Sequence, residues 1–86
     1  MVTIAFSPKF KRQYKKLSEQ VKIVAKDKIL VFKINCFDPQ LKTHKLNGRL
    51  KDLWSFWITH KDRVIFSFED NDMVHFHAIG DHDIYE

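Results

Sequence analysis

Hydrophobic residues alternate with small or polar ones at the start of the chain, where Val2, Ile4 and Phe6 are every second residue. A period of two places side chains on one face of an extended backbone, so this segment is predicted to be a short strand. Ser7 and Pro8 follow, a pair typical of a helix N-cap and first helical residue. The pattern therefore predicts that the strand passes directly into a helix.

Two helices are predicted next, because the apolar spacing changes to three and four residues. The first helix has one apolar face: Phe10, Tyr14 and Leu17. Ser18 can cap a second helix, whose core face is Val21, Val24, Ala25, Ile29 and Phe32. This helix is expected to end near Asn35, since Asp38 precedes Pro39 and a residue before proline avoids helical angles.

The second half of the chain carries three alternating segments, at about Leu53–Thr59, Arg63–Phe68 and Val74–Ile79. They follow a basic connector over residues 41–51, and strands joined by short loops are antiparallel. The predicted order is β-α-α-β-β-β. The sequence thus predicts one α+β domain over residues 1–86, an antiparallel sheet with a helical hairpin packed on one face.

One register buries the most apolar surface, with Ile58 opposite Val64 and Phe68 opposite Val74. The helix-facing residues are then Trp54, Phe56, Ile58, Val64, Phe66, Phe68, Val74, Phe76 and Ala78. Because side chains alternate, the other face consists of three rows: Ser55–Ser67–His75, Trp57–Ile65–His77 and Thr59–Arg63–Ile79. We call this second surface the open face. It carries an arginine, two histidines and a tryptophan, a mixture that a purely structural surface does not need.

Charge is divided unevenly between the two halves of the chain. Residues 1–51 hold thirteen Lys/Arg against three Asp/Glu, a balance of +10, whereas residues 52–86 have a balance of −6. A basic half of this strength indicates a polyanionic partner, either nucleic acid or an acidic protein. Two helices with solvated lysines are the alternative explanation.

The expected compartment is the cytoplasm. No stretch is long and apolar enough to span a membrane, and the N-terminal residues lack the pattern of a signal peptide. Cys36 is the single cysteine, which excludes an internal disulfide, and a lone cysteine near a helix end is usually a small apolar filler.

Several segments in this order resemble the RelE/ParE toxin superfamily, and most of all its YafQ-like branch of messenger-RNA interferases. The segments are the basic helical hairpin and residues 41–48, 53–56, 62–66 and 79–85. The resemblance covers nearly the whole chain. It implies a ribosome-dependent endoribonuclease that is held inactive by an antitoxin encoded beside it.

The resemblance also implies site residues. Arg63 matches the family's arginine that supports the scissile phosphate, and His82 and Tyr85 match its C-terminal histidine and aromatic residue. His44 matches an active-site histidine of some YafQ-like members. The chain departs from the family at Trp57, where some relatives have a catalytic histidine. It also departs on the last strand, where histidines replace a common basic residue, and its ending is one residue shorter than in some relatives.

These residues fit cleavage of RNA without a metal, in which the 2′-hydroxyl is the nucleophile. The reaction needs a base, an acid for the leaving oxygen, and positive charge for the transition state. We expect Arg63 to hold the phosphate, His82 and His44 to transfer protons, and Tyr85 to position or stack. The alternatives are an arginine paired with Asp81 or Asp62, solvated histidines, and a tyrosine that closes the sheet edge.

Further residues are predicted to contact RNA or the ribosome: Lys9, Lys11, Arg12, Lys15, Lys16, Lys42, Lys45, Arg49, Lys51, Trp57 and His77. The basic ones would supply affinity and salt dependence rather than sequence choice. Trp57 could stack on a base, or instead pack under the C-terminal segment or an antitoxin helix.

No metal site and no cofactor are predicted. His75 and His77 point to the same side of one strand near Asp81, His82 and Asp83, but a clear third ligand is missing. The acidic residues 69–72 are interpreted as a solvated turn, because they lack the glycine and spacing of a calcium loop.

Two other functions stay open at this point. A ParE-type relative would inhibit DNA gyrase and cleave no RNA, and the Arg63, His82 and His44 combination argues against it. A catalytically degenerate module that binds RNA or the antitoxin is favoured by the missing arginine on the last strand. All the toxin hypotheses require an antitoxin partner, expected to be helical and acidic.

Overall fold

The protein is seen here as a computed structural model that describes residues 2–50, 52–70 and 72–81. Its regular elements are β1 (Thr3–Phe6), α1 (Pro8–Lys15), α2 (Glu19–Ile34), β2 (His44–Lys45), β3 (Trp54–Trp57), β4 (Arg63–Phe68) and β5 (Met73–Gly80). Two short 3₁₀ turns, Pro39–Leu41 and Gly48–Leu50, lie between α2 and β3. The predicted element order and the α+β class are confirmed, and the connector also contributes the short strand β2.

The strands form one sheet in the order β1-β5-β4-β3-β2. Adjacent strands in this sheet are antiparallel, except that β1 and β5 run parallel to each other. A parallel neighbour needs a long crossover connection, and here the two helices lie between β1 and the rest of the sheet in the chain. The prediction of an antiparallel sheet is thus confirmed for β2 to β5 and is wrong at one edge, where β1 runs parallel to β5.

Both predicted helix caps are present. The hydroxyl of Ser7 accepts a hydrogen bond from the backbone N–H of Phe10 at 2.9 Å, and Ser18 caps α2 in the same way. Ser7 has a second role, because its hydroxyl also donates to the carbonyl oxygen of His77 at 2.9 Å. The capping residue therefore also holds the start of α1 against β5, directly after the last residue of β1 that pairs with β5.

Phe32 of α2 is the centre of the core and is fully buried. Its ring centroid lies 4.8 Å from that of Phe56, 5.0 Å from Phe66 and 5.2 Å from Phe76, one ring on each of β3, β4 and β5. Such clusters let a few large rings fill a small core. The helices therefore cover the predicted side of the sheet, and the open face lies opposite them.

The predicted register between β3 and β4 is wrong by two residues. Val64 pairs with Phe56 rather than with Ile58, and Arg63 pairs with Trp57. A shift of two residues leaves every side chain on its predicted face, so alternation alone does not distinguish the two registers. The consequence for function is direct, because Arg63 now lies beside Trp57.

The predicted register between β4 and β5 is right at Phe68–Val74, Ser67–His75 and Phe66–Phe76 and wrong beyond them. A β-bulge follows, since Ile65 pairs with Ala78 and Arg63 with Gly80. The extra residue moves Ile79 from the open face into the core, where its side chain is 1% exposed. Bulges break the period of two, which is why the pattern did not reveal it.

No helix within the described residues is long and apolar enough to cross a membrane.

Candidate functional site

The strongest candidate site lies on the open face, where β3 ends and β4 begins. Trp57 and Arg63 are register partners, so their side chains project from the same face. The guanidinium carbon of Arg63 lies 4.0 Å from the centroid of the Trp57 ring, a distance typical of a cation–π contact. Stacking on the ring restricts the planar guanidinium to one orientation.

The same guanidinium also donates hydrogen bonds to the backbone of the turn between β3 and β4. Arg63 Nη1 donates to the carbonyl oxygen of Thr59 at 3.0 Å and to that of Asp62 at 3.4 Å. These acceptors are neutral. The Asp62 carboxylate instead accepts a hydrogen bond from the Thr59 hydroxyl at 2.7 Å. The structure therefore pairs this carboxylate with Thr59, and not with Arg63 as one sequence alternative had it.

Thr59 and Asp62 fix the turn by a reciprocal pair of hydrogen bonds. The Asp62 N–H donates back to the Thr59 hydroxyl at 3.0 Å, and Asp62 is almost fully buried at 7% exposure. The sequence predicts Asp62 only as an alternative partner of Arg63 and indicates no role for Thr59. The sequence feature that could have indicated this turn is the Thr-x-x-Asp spacing over residues 59–62. A similar spacing allows the reciprocal hydrogen bonds of a capping box.

Strand β2 brings a second group of residues to this surface. His44 pairs with Ser55 across β2 and β3, so both project from the open face, two positions along from Trp57. The amino group of Lys42 lies 5.5 Å from the centroid of the Trp57 ring. Cations from the segments on both sides of β3 therefore approach one tryptophan.

The backbone at Lys42 has a left-handed conformation, with φ of 50°. This conformation is uncommon for a residue other than glycine and is often found at functional positions. Here it ends the Pro39–Leu41 turn and directs the chain into β2. Lys42 and His44 consequently reach the open face from the basic connector.

His44 is exposed, and its Nδ1 lies 2.9 Å from the carbonyl oxygen of Lys42. A carbonyl oxygen can only accept, so Nδ1 carries the proton in this hydrogen bond. In the neutral ring the lone pair is then on Nε2. A neutral imidazole held in this tautomer can act as a general base.

Taken together, Arg63, Trp57, Lys42 and His44 form what we call the arginine cluster. It offers a fixed guanidinium, a flexible ammonium, an aromatic ring and one imidazole on a single surface. Guanidinium and ammonium groups bind phosphate, and an indole ring can stack on a base. The cluster therefore has the parts needed to bind a single-stranded nucleic acid beside a proton acceptor.

Other predicted site residues have varied locations. His82, Tyr85 and Lys51 lie outside the described residues, so their predicted roles are not tested. The remaining predicted basic contacts are all exposed: Lys9, Lys11, Arg12, Lys15, Lys16, Lys45 and Arg49.

The Cys36 thiol is half-buried, and its pKa is raised by that burial, an effect partly offset by a backbone hydrogen bond.

A groove of about 640 Å³ opens on the helical side of the molecule, away from the arginine cluster. Its walls are residues of β1, α1 and α2: Phe6, Phe10, Lys11, Tyr14, Lys15, Lys26, Ile29, Leu30 and Lys33. The floor is apolar and the rim carries four lysines. Lys11 and Lys15, predicted as RNA contacts, therefore line a separate surface that we call the lysine-rimmed groove.

His77 lies toward the opposite end of the open face from Arg63. Its Nε2 is 2.7 Å from the Ser67 hydroxyl, which in turn donates to Glu69 at 2.7 Å. Burial lowers the pKa of His77, and the nearby His75 lowers it further, whereas Glu69 acts in the opposite direction. This neighbourhood is acidic, so the predicted contact between His77 and RNA has less support than those of the arginine cluster.

Comparison with solved structures identifies the fold. YafQ from Escherichia coli strain BL21(DE3) superimposes with a TM-score of 0.75 at 18% identity, over 99% of this chain and 98% of its own. The YoeB/ParE toxin from Agrobacterium tumefaciens gives 0.78 at 17% identity, over 95% and 99%. A chain of the YoeB–YefM complex from Staphylococcus aureus gives 0.75 at 20% identity, over 95% and 98%.

This chain has the RelE/ParE toxin fold. The resemblance read from the sequence is thus confirmed at the level of fold. No protein-family model and no curated protein matches the sequence. At identities of 17–20%, the likeness to these structures is one of fold.

In this version of the RelE/ParE fold, Arg63 is the first residue of β4 and Trp57 the last of β3. Both lie on the face that the helical hairpin leaves uncovered. The fold thus presents the arginine cluster to the outside and keeps the lysine-rimmed groove on the other side.

Proposed function

We propose that the protein is the toxin of a type II toxin–antitoxin pair and that it acts as an endoribonuclease on messenger RNA bound to the ribosome. The observation that carries the proposal is the arginine cluster, in which the Arg63 guanidinium, stacked on Trp57, and the His44 imidazole share one open surface. The RelE/ParE toxin fold supports the same function, since YafQ and YoeB have it.

The proposed reaction is transfer within the RNA strand. The 2′-oxygen attacks the adjacent phosphorus while the bond from phosphorus to the 5′-oxygen breaks, which leaves a 2′,3′-cyclic phosphate and a 5′-hydroxyl. His44 Nε2 accepts the proton of the 2′-hydroxyl. Arg63 stabilises the charge that develops on the phosphate oxygens, because its guanidinium is permanently protonated and already oriented. His82, the other predicted proton-transfer residue, is proposed to donate a proton to the leaving oxygen.

The sparse character of the cluster favours action on a ribosome rather than on free RNA. Only one imidazole and two cations lie on the described part of the cluster. A ribosome that presents the message in a fixed position can supply much of the alignment that a free enzyme must provide itself. The exposed basic residues of α1 and of the connector would then contact ribosomal RNA.

The proposed antitoxin segment occupies the lysine-rimmed groove. An apolar floor with four lysines at its rim is complementary to an amphipathic helix whose apolar face is flanked by Asp and Glu. Leu30 is 57% exposed and contributes to this surface. The structure of YoeB with YefM shows that this fold can be bound by a protein partner.

Controlled expression in bacteria tests the proposal. The chain, the Arg63→Ala variant and the Lys22→Ala variant are induced separately, and 5′ ends of a reporter message are mapped by primer extension. Lys22→Ala is the matched control, because it removes one positive charge from α2, where Lys22 lies 3.5 Å from Glu19. We expect growth arrest and translation-dependent cuts with the chain and the control, and neither with Arg63→Ala.

Two outcomes contradict the proposal. Arrest without new cuts would indicate another target, with DNA gyrase the first to test by supercoiling assay. Absence of both arrest and cuts from folded protein would indicate a degenerate binding module.

A further inference from the structure

Three potential ligands meet at the end of the open face that lies away from Arg63. Glu69 follows β4, and His75 and His77 belong to β5. Each residue offers one ligand atom, and these atoms lie within 4.8 Å of one another. The ring centroids of the two histidines are 4.4 Å apart. We call these three residues the histidine–glutamate cluster.

The β-bulge explains why the cluster is compact. Phe66 pairs with Phe76 and Ile65 with Ala78, so His77 is the extra residue of the bulge. A bulge increases the local twist and redirects a side chain. His77 consequently reaches the Ser67 hydroxyl, which also contacts Glu69, and the serine holds two of the three ligands close together.

The donor set suits a transition metal of the zinc class. Two imidazoles and one carboxylate, with solvent at the fourth position, form a common coordination shell for zinc. Bonds of about 2.0–2.2 Å in a tetrahedron place ligand atoms roughly 3.3 Å apart. The ligand atoms of the cluster now lie up to 4.8 Å apart, so the most distant pair must approach by about 1.5 Å. Rotation about side-chain torsions can achieve this, because Glu69 is exposed and both histidines are half-buried.

Neighbouring charges favour a cation over a phosphate. Asp70 and Asp72 lie on the same turn as Glu69 and are exposed. Together with Glu69 they provide three carboxylates within four positions, which raises the local concentration of cations and repels polyanions. The sequence predicts only a solvated turn here, because the bulge that brings His77 toward Glu69 leaves no signal in the alternating pattern.

We propose that the histidine–glutamate cluster binds one divalent zinc-class ion, which links the β4–β5 turn to strand β5. The site goes beyond the proposed function and requires no part of the arginine cluster. Its tests use no RNA, so failure of either proposal leaves the other intact.

Metal titration of the full chain tests the proposal. The protein is freed of metal with a chelator and titrated with Zn²⁺ by calorimetry, then with Co²⁺ by visible absorption. We expect one ion per chain and the intense Co²⁺ bands of a four-coordinate site. Affinity should fall at least tenfold in each of His75→Ala, His77→Ala and Glu69→Gln. His60→Ala is the matched control from the β3–β4 turn, and it should bind as the parent does.

A second measurement avoids dependence on the variants. In the unaltered chain, NMR signals of the His75 and His77 ring nitrogens should shift on addition of Zn²⁺ while those of His60 stay in place. The proposal is overturned if no shift occurs at either histidine, if Zn²⁺ affinity is the same in folded His77→Ala and in the parent, or if binding is lost in His60→Ala.

Discussion

Arg63 stacks on Trp57 with its guanidinium carbon 4.0 Å from the ring centroid, while the turn that precedes Arg63 binds the same guanidinium through Thr59. The arginine is therefore oriented before any ligand arrives. Preorganised charge is the most effective form of electrostatic stabilisation, because no free energy is needed to align it during the reaction.

Two replacements of Arg63 should distinguish the effect of its charge on the cleavage rate from the effect of its planar shape. We expect Arg63→Ala to lower the cleavage rate by about 10²–10³-fold, the usual loss when one transition-state donor is removed. Arg63→Lys should recover less than a tenth of the parent rate, since an ammonium is a point charge without the planar stacking surface. Cleavage rates on purified ribosomes measure both. Equal rates for the Lys variant and the parent would show that orientation is unimportant.

Trp57 should affect cleavage through Arg63. Loss of a cation–π contact of about 1 kcal/mol in Trp57→Leu is expected to reduce the rate about fivefold. Trp57→Phe keeps an aromatic face and should lie between Leu and the parent. The double variant Trp57→Leu with Arg63→Ala should be no slower than Arg63→Ala alone. An additive loss in the double variant would instead mean that Trp57 contacts the RNA directly.

His44 should contribute as a proton acceptor. The rate of His44→Gln is expected to fall about 10²–10⁴-fold, which is the usual contribution of a positioned acid or base. The side chain is exposed, so the thermal unfolding midpoint should stay within about a degree of the parent. A rate within twofold of the parent would remove His44 from the mechanism.

The fold and the site were predictable to different degrees. The helices and their caps were readable, because the cap chemistry of Ser7 and Ser18 is local. The β3–β4 register was not, because a slip of two residues preserves both faces of the sheet. The parallel pairing of β1 with β5 depends on distant segments, and the two-residue strand β2 is too short to give a period.

The candidate site shows the same division. Arg63, His44 and Trp57 were identified from sequence, and the structure places them on one face. The approach of the Lys42 amino group to Trp57 follows from the left-handed backbone at Lys42, which no hydrophobic pattern encodes. The approach of Glu69 to His77 depends on a bulge, which alternation conceals. The identity of the site residues was therefore predictable from the sequence, whereas the contacts that depend on strand register were not.

Core stability should depend strongly on Phe32. Phe32→Ala is expected to lower the free energy of unfolding by about 3–5 kcal/mol, because it leaves a cavity among three aromatic rings. Ile23 lies on the same helix and is 68% exposed, so Ile23→Ala should change stability by less than about 0.5 kcal/mol. Urea denaturation gives both values. Similar losses at the two positions would contradict the assigned core.

Antitoxin binding should depend on charge at the lysine-rimmed groove. Reversal of two rim residues, Lys26→Glu with Lys33→Glu, should weaken binding of the proposed antitoxin at least tenfold. The loss should be larger at low salt, where surface charges are less screened. Calorimetry at two salt concentrations measures it. Unchanged affinity would move the antitoxin to another surface.

The most direct test of the central claim is cleavage of a ribosome-bound message in which one ribose is altered. Purified ribosomes are programmed with a message carrying either a 2′-hydroxyl or a 2′-deoxy sugar at the mapped cut, and the folded chain is added. We expect cleavage of the first message, with a 2′,3′-cyclic phosphate at the new end, and at least a hundredfold less cleavage of the second. Equal cleavage of both messages, or none of either, would contradict it.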